Sequence, residues 1–98
     1  MYEKIKKLKE ILKKDGFVID GIFGSFARGD YTKNSDIDLL YHLEEPFFSR
    51  YPGFRGFKKL EEIRTFLMKE LKRDIDLAPK NSLSNTAKKY ILKDLIDV

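Results

Sequence analysis

The chain has no cysteine, no tryptophan, no glutamine and a single histidine among its 98 residues. Without cysteine there is no disulfide, no thiolate zinc site and no cysteine nucleophile, which leaves carboxylates as the obvious metal ligands. Hard oxygen donors of that kind favour Mg²⁺ or Mn²⁺. No apolar run approaches the roughly 18 residues that a bilayer span needs. The opening stretch MYEKIKKLKEILKK spreads lysines where a secretory signal would have a continuous apolar segment. The expectation is a soluble, cytoplasmic protein with no membrane partner. Missing glutamine beside abundant lysine and glutamate also fits a source in a hot environment.

What is present is globular in character. With 42% hydrophobic and 37% charged residues, the chain is too apolar to stay disordered. A chain this short builds one core, so residues 1–98 are predicted to form a single domain, and any larger site must be shared with a partner. The formal charge of +4 comes mainly from Lys4, Lys6, Lys7, Lys9, Lys13 and Lys14, with further lysines near the C-terminus. Glu3, Glu10 and Asp15 interrupt the first run, so it reads as a solvated helix face, and nucleic acid is not expected as a direct ligand.

Periodicity supplies the elements. Ile5, Leu8, Ile11 and Leu12 recur at helical spacing, which predicts an amphipathic helix over residues 3–15 stopped by Gly16. Residues 17–23 are β-branched and aromatic and run into Gly24-Ser25, a strand ending at a glycine-permitted turn. A helical turn is expected over residues 25–28, then a polar loop, then a second strand over 36–42 beside the first. EEPFFSRYPGFRG, with two prolines and two glycines, is expected to be a long loop. From Phe57 onward, Leu60, Ile63, Leu67 and Leu71 predict a long helix ending at Lys72-Arg73. DIDLA predicts a third, interior strand over residues 74–78, stopped by Pro79. Ser82, Ser84 or Asn85 would cap a last helix with Ala87, Tyr90, Ile91 and Leu95 on one face.

Two features in this order carry chemistry. A serine opening a helix directly after a strand and a glycine can hold phosphate: the first N–H groups are unpaired, Gly24 permits close approach, and the Ser25 hydroxyl adds a donor. Taken alone, Gly24-Ser25 reads first as an ordinary turn with a helix cap. Asp36 and Asp38 lie two apart on a predicted strand and so project from one face. Such a pair repels by roughly 1 to 4 kcal/mol at 4 Å in wet surroundings unless a cation lies between, and its alternative is plain solvent exposure on an edge. Asp76, flanked by Ile75 and Leu77, adds a third carboxylate if its strand lies beside the second; Asp74, next to Arg73 at a junction, is the weaker choice. The set fits two-metal phosphoryl transfer, with a triphosphate at Gly24-Ser25, metal at Asp36 and Asp38, and Asp76 taking a proton from the attacking hydroxyl. Arg28 either faces the triphosphate or pairs with Asp30 or Asp36. His42 reads as structural or solvated.

GSFARGDYTKNSDIDLL resembles the signature of the DNA polymerase β-like nucleotidyltransferase superfamily, in which Gly-Ser, about ten residues and Asp-x-Asp form the active site. Gly24, Ser25, Arg28, Gly29, Ser35, Asp36 and Asp38 match the first motif, and IDLA with Pro79 and a following helix resembles the later strand that bears a third aspartate. Length and element order resemble the minimal nucleotidyltransferases, the antitoxins of HEPN/MNT toxin–antitoxin pairs. The resemblance implies an α/β (α+β) fold with a small, mixed, twisted sheet packed by helices. It implies metal ligation and catalysis by Asp36, Asp38 and Asp76, nucleotide binding by Gly24, Ser25 and Arg28, two Mg²⁺ sites, and ATP as substrate. It further implies transfer of AMP to a tyrosine of a partner HEPN ribonuclease.

Other functions stay open. An antitoxin could neutralise by binding and occlusion over an idle site, or the chain could be the catalytic subunit of an aminoglycoside-like small-molecule adenylyltransferase. Phe47, Phe48, Arg50, Tyr51, Phe54 and Arg55 have the composition of an interface core. About half are expected to fold back on the sheet and the rest to contact the partner.

Overall fold

A computed structural model describes residues 1–98. Helix α1 (Tyr2–Lys13) buries Ile5, Leu8 and Leu12, leaving the lysines and half of Ile11 in water. Each buried side chain contributes roughly 1.5–3 kcal/mol by leaving solvent. Strand β1 (Phe17–Phe23) follows, then the one-turn helix α2 (Ser25–Arg28) and strand β2 (Ile37–Leu43). Beyond it come helix α3 (Glu45–Arg50), helix α4 (Phe54–Leu71), strand β3 (Ile75–Pro79), a 3₁₀ turn at Lys80–Ser82, helix α5 (Asn85–Asp94) and a two-residue strand β4 (Ile96–Asp97).

The strands form one mixed sheet in the order β3-β2-β1-β4, with β1 antiparallel to β2 and β4, and β2 parallel to β3. The α/β fold with a small mixed sheet and packed helices agrees with the expectation. Alternation decides which face does what. Ile19, Ile22, Ile37, Leu39, Tyr41 and Ile75 point to one side, where they join Ile5, Leu8 and Leu12 of α1 and Ile63, Leu67 and Leu71 of α4 in the core. The opposite side carries Asp38, Leu40 and His42, in register with Phe23, Gly21 and Val18, and α5 covers part of it through Ile91.

Several expectations change. The proline-rich loop contains α3, because Pro46 falls in the first helical turn, where its missing N–H is no loss. Helix α4 starts at Phe54, before Phe57, with Gly56 buried inside it against Phe47 and Tyr51. Strand β2 opens at Ile37, one residue after Asp36. Strand β3 is an edge strand, not an interior one, and includes Pro79, which an edge tolerates. In α5, capped by Ser84 accepting from the Ala87 N–H at 3.1 Å, Tyr90 is 73% exposed and does not share the buried side of Ile91. Strand β4 has no counterpart among the expected elements. A Cβ at Gly21 would collide with the Ile96 carbonyl oxygen at 2.6 Å, so this glycine is what lets β4 lie against β1.

Of the six residues of the aromatic segment, two fold back, fewer than the half expected. Phe47 is buried and Tyr51 half-buried, while Phe48 and Phe54 stand in solvent together with Phe57, Phe54 at 90% exposure. Arg50 is occupied by Asp15 at 2.6 Å, and Arg55 is exposed.

Candidate active site

The site begins at the end of β1, where Gly24 adopts φ 75° and ψ −152°. That conformation is essentially confined to glycine and strains other residues by about 1–3 kcal/mol. The position is also closed to a side chain by contact: a Cβ at Gly24 would land on Asp38 Oδ2. Gly24 thus serves the carboxylate directly, a role in addition to the phosphate approach that its place in the motif suggests.

Helix α2 starts at the next residue. Its first internal hydrogen bond runs from the Arg28 N–H to the Gly24 carbonyl at 3.0 Å, so the N–H groups of Ser25, Phe26 and Ala27 have no partner within the helix. Phe26, 7% exposed, roots the turn in the core. Gly29 ends it at φ 85°.

Opposite stands β2. Asp38 pairs in register with Phe23 of β1 on one side and with Asp76 of β3 on the other. The parallel register places the two carboxylates side by side on one face, and Asp36 enters two residues earlier. Asp38 is half-buried and its pKa is pushed up to about 6, by desolvation first, then by the charges of Asp76 and Asp36, while Arg28 acts in the opposite direction. Asp36 and Asp76 are exposed. Asp76 therefore belongs to the group through its register with Asp38; the cost of an interior carboxylate, expected from the sequence, does not apply on an edge strand. Asp74 is likewise exposed, and its carbonyl accepts from the Ile37 N–H at 2.9 Å.

No three carboxylates stand close enough to form a closed ligand cage. A hard divalent ion suits these donors, and its charge would offset both the desolvation and the repulsion from Asp76 and Asp36 that raise the Asp38 pKa.

A nucleotidyltransferase domain model matches residues 5–98. The chain belongs to the nucleotidyltransferase family. This nucleotidyltransferase is 40% identical over 99 residues to a provisionally named protein adenylyltransferase of Methanocaldococcus jannaschii, covering 98% of this chain and 92% of that one. It is 33% identical to the protein adenylyltransferase MntA of Thermococcus cleftensis, across 92% of this chain and 83% of that one. Among solved structures, a toxin–antitoxin crystallised with AMP-PNP superposes with a TM-score of 0.70 at 23% identity, over 97% of this chain and 69% of that one.

Within the nucleotidyltransferase, Arg28 pairs with Asp30 at 3.2 Å and with Asp94 of α5 at 2.9 Å, not with Asp36. Asp94 has no local signal in the sequence, because its contact spans 66 positions. It ties the last helix to α2. His42 lies farther along the same sheet face, bonded through Nδ1 to Asp20 at 2.8 Å and through Nε2 to Glu44 at 3.3 Å. Asp20 sits in a β-bulge between Ile19 and Gly21, the kind of irregularity that re-aims a side chain. The Asp20 hydrogen bond holds the imidazole pKa above its ordinary value. No helix is long and apolar enough to cross a membrane.

Proposed function

We propose that this nucleotidyltransferase transfers AMP from ATP to a tyrosine hydroxyl of a HEPN-type helical ribonuclease toxin in the cytoplasm, and acts as its antitoxin. The observation that supports this best is the register of Asp38 with Asp76, beside Asp36 and facing the Gly24-Ser25 turn. Relatives named as protein adenylyltransferases, and a toxin–antitoxin fold neighbour crystallised with AMP-PNP, support the choice of nucleotide and acceptor.

Asp36, Asp38 and Asp76 would hold Mg²⁺, in two sites. Bound there, the ion neutralises charge on the triphosphate and polarises the phosphoryl oxygens. The residues of the chain do the rest. The free N–H groups of α2 and the Ser25 hydroxyl hold the triphosphate against the turn. Arg28 adds a guanidinium at its flank. Asp76, the more exposed carboxylate of the register pair, accepts the proton of the attacking hydroxyl. The hydroxyl oxygen bonds to the α-phosphorus, the bond from that phosphorus to the bridging oxygen breaks, and pyrophosphate leaves with the electron pair. Nothing is oxidised or reduced.

The direct test incubates the chain with ATP, Mg²⁺ and the partner toxin and measures the partner's mass. A gain of one adenylyl group, lost on chelation and in Asp36→Asn, is the expected result; an unmodified partner contradicts it. Neutralisation that survives in Asp36→Asn without modification would instead indicate occlusion over an idle site.

Phe48 and Phe57, which line one groove, and the exposed Phe54 at the start of α4 are proposed to contact the partner. Phe54→Ala combined with Phe57→Ala is expected to weaken the complex at least tenfold, since buried aromatic anchors dominate interfaces, with no change in melting temperature. Unchanged affinity in a titration would remove this surface from the interface.

A further inference from the structure

Between the two halves of the motif runs the segment 29–35, which has no regular secondary structure and is largely exposed. It nevertheless has to deliver Asp36 and Asp38 in front of α2. A few local bonds shape it: the Thr32 N–H donates to Ser35 Oγ at 2.9 Å and the Ser35 N–H donates to the Thr32 carbonyl at 3.1 Å. These close a small turn but attach it to nothing.

Arg73 makes the attachment. Its Nη1 donates to the carbonyls of Thr32 at 2.9 Å and Ser35 at 3.1 Å. The guanidinium carbon lies 4.8 Å from the ring centre of Phe26 in α2 and 5.6 Å from that of Tyr31 in the segment itself. Those two rings are stacked, 4.1 Å apart and 7° from parallel. One residue further on, the Asp74 carbonyl receives the Ile37 N–H at 2.9 Å. Arg73 therefore joins α2 to the segment 29–35, next to the backbone bond at which β2 and β3 meet.

Backbone conformation aims it there. Lys72, the residue that ends α4, has φ 56° and is the only non-glycine residue with positive φ. A left-handed lysine costs roughly 1–2 kcal/mol, and the turn it makes directs Arg73 back over the Phe26 ring. Lysine at position 73 could not do the same work, because a hydrated ammonium neither stacks flat on a ring nor presents a rigid planar fork.

We propose that Arg73 is a positioning residue for the nucleotidyl-transfer site: it sets where Asp36 and Asp38 stand relative to Gly24-Ser25 without touching substrate. This rests on the reading of Asp36 and Asp38 as the metal-binding pair. Supporting partners of metal ligands typically alter metal affinity 10- to 100-fold.

The test compares Arg73→Ala, Arg73→Lys and Asp38→Asn in the full chain. Three quantities are read: affinity for the Mn²⁺ complex of a non-hydrolysable ATP analogue, amide hydrogen exchange over residues 30–37, and the melting curve. Arg73→Ala should melt cooperatively, exchange faster at the amides of the segment than wild type with β1 unchanged, and bind the Mn²⁺ complex about tenfold more weakly. Arg73→Lys should fall between it and wild type. Wild-type affinity in Arg73→Lys, or in a folded Arg73→Ala, while Asp38→Asn has lost binding overturns the positioning role and leaves the metal site standing. Wild-type affinity in Asp38→Asn overturns the metal reading, and this proposal with it.

Discussion

Asp38→Asn should abolish nucleotidyl transfer and, in the same molecule, make the metal-free protein more stable at neutral pH. The loss of activity follows from the place of Asp38, which stands between β1 and Asp76 and approaches Gly24 so closely that no side chain fits there. An asparagine cannot replace an anionic metal ligand, so the ion that would neutralise the triphosphate loses its hold. The gain in stability follows from the pKa of about 6, raised from the ordinary aspartate value of 3.8. Between those two values the native state holds a proton that the unfolded state has released. Stability of the metal-free wild type therefore falls as pH rises through that window, and the full penalty persists above it. Asparagine carries no charge to desolvate beside Asp76 and Asp36. Melting temperatures measured in EDTA should match for the two proteins near the lower of those values and diverge in favour of Asp38→Asn above the higher one. A parallel pH dependence in both would mean that Asp38 is not the strained group.

Gly24→Ala should damage both fold and function, by two separable effects. Its φ of 75° and ψ of −152° cost an alanine about 1–3 kcal/mol, which for a domain of this size lowers the melting temperature by several degrees, at roughly 4–8 °C per kcal/mol. The new methyl group also occupies the place of Asp38 Oδ2, so the carboxylate must swing away. Misplacing a reacting group by about 1 Å can cost 10²-fold. The double variant Gly24→Ala, Asp38→Ala, compared with Asp38→Ala alone, distinguishes the two effects: with the clash relieved, Gly24→Ala lowers the melting temperature less in the Asp38→Ala background than in wild type, and no activity returns. If Gly24→Ala cost the same in both backgrounds, the backbone alone would account for the loss.

Much of the fold and most of the candidate site are legible in the sequence, for reasons that differ by element. The helix of Ile5, Leu8 and Leu12, the strand entering Gly24, the turn at Ser25–Arg28 and the long helix through Ile63 and Leu67 are written in local periodicity, which tertiary packing reinforces. The carboxylates are legible because period-two alternation places Asp36 and Asp38 on one face. Local pattern does not reveal sheet order. DIDLA reads the same for an interior strand as for an edge strand, so buried charge looks like the reason for Asp76 when register with Asp38 is what holds it in the group. Helix α3 is hidden because Pro46 looks like a breaker unless it falls in a first turn, as it does here. Arg73 and Asp94 act across 38 and 66 positions, and β4 meets Gly21 through a two-residue pairing from the far end of the chain; no window along the sequence contains them. Of the two partners of Arg28, Asp30 is foreseeable at two residues' distance and Asp94 is not.

The most direct measurement follows the label of ATP marked separately at the α- and γ-phosphates, in the presence of Mg²⁺ and the proposed partner toxin. Nucleotidyl transfer predicts that the α-label becomes covalently attached to the partner while the γ-label is recovered in pyrophosphate, and that neither happens with Asp36→Asn or Asp38→Asn. Attachment of the γ-label, or undiminished α-labelling in both variants, would contradict it.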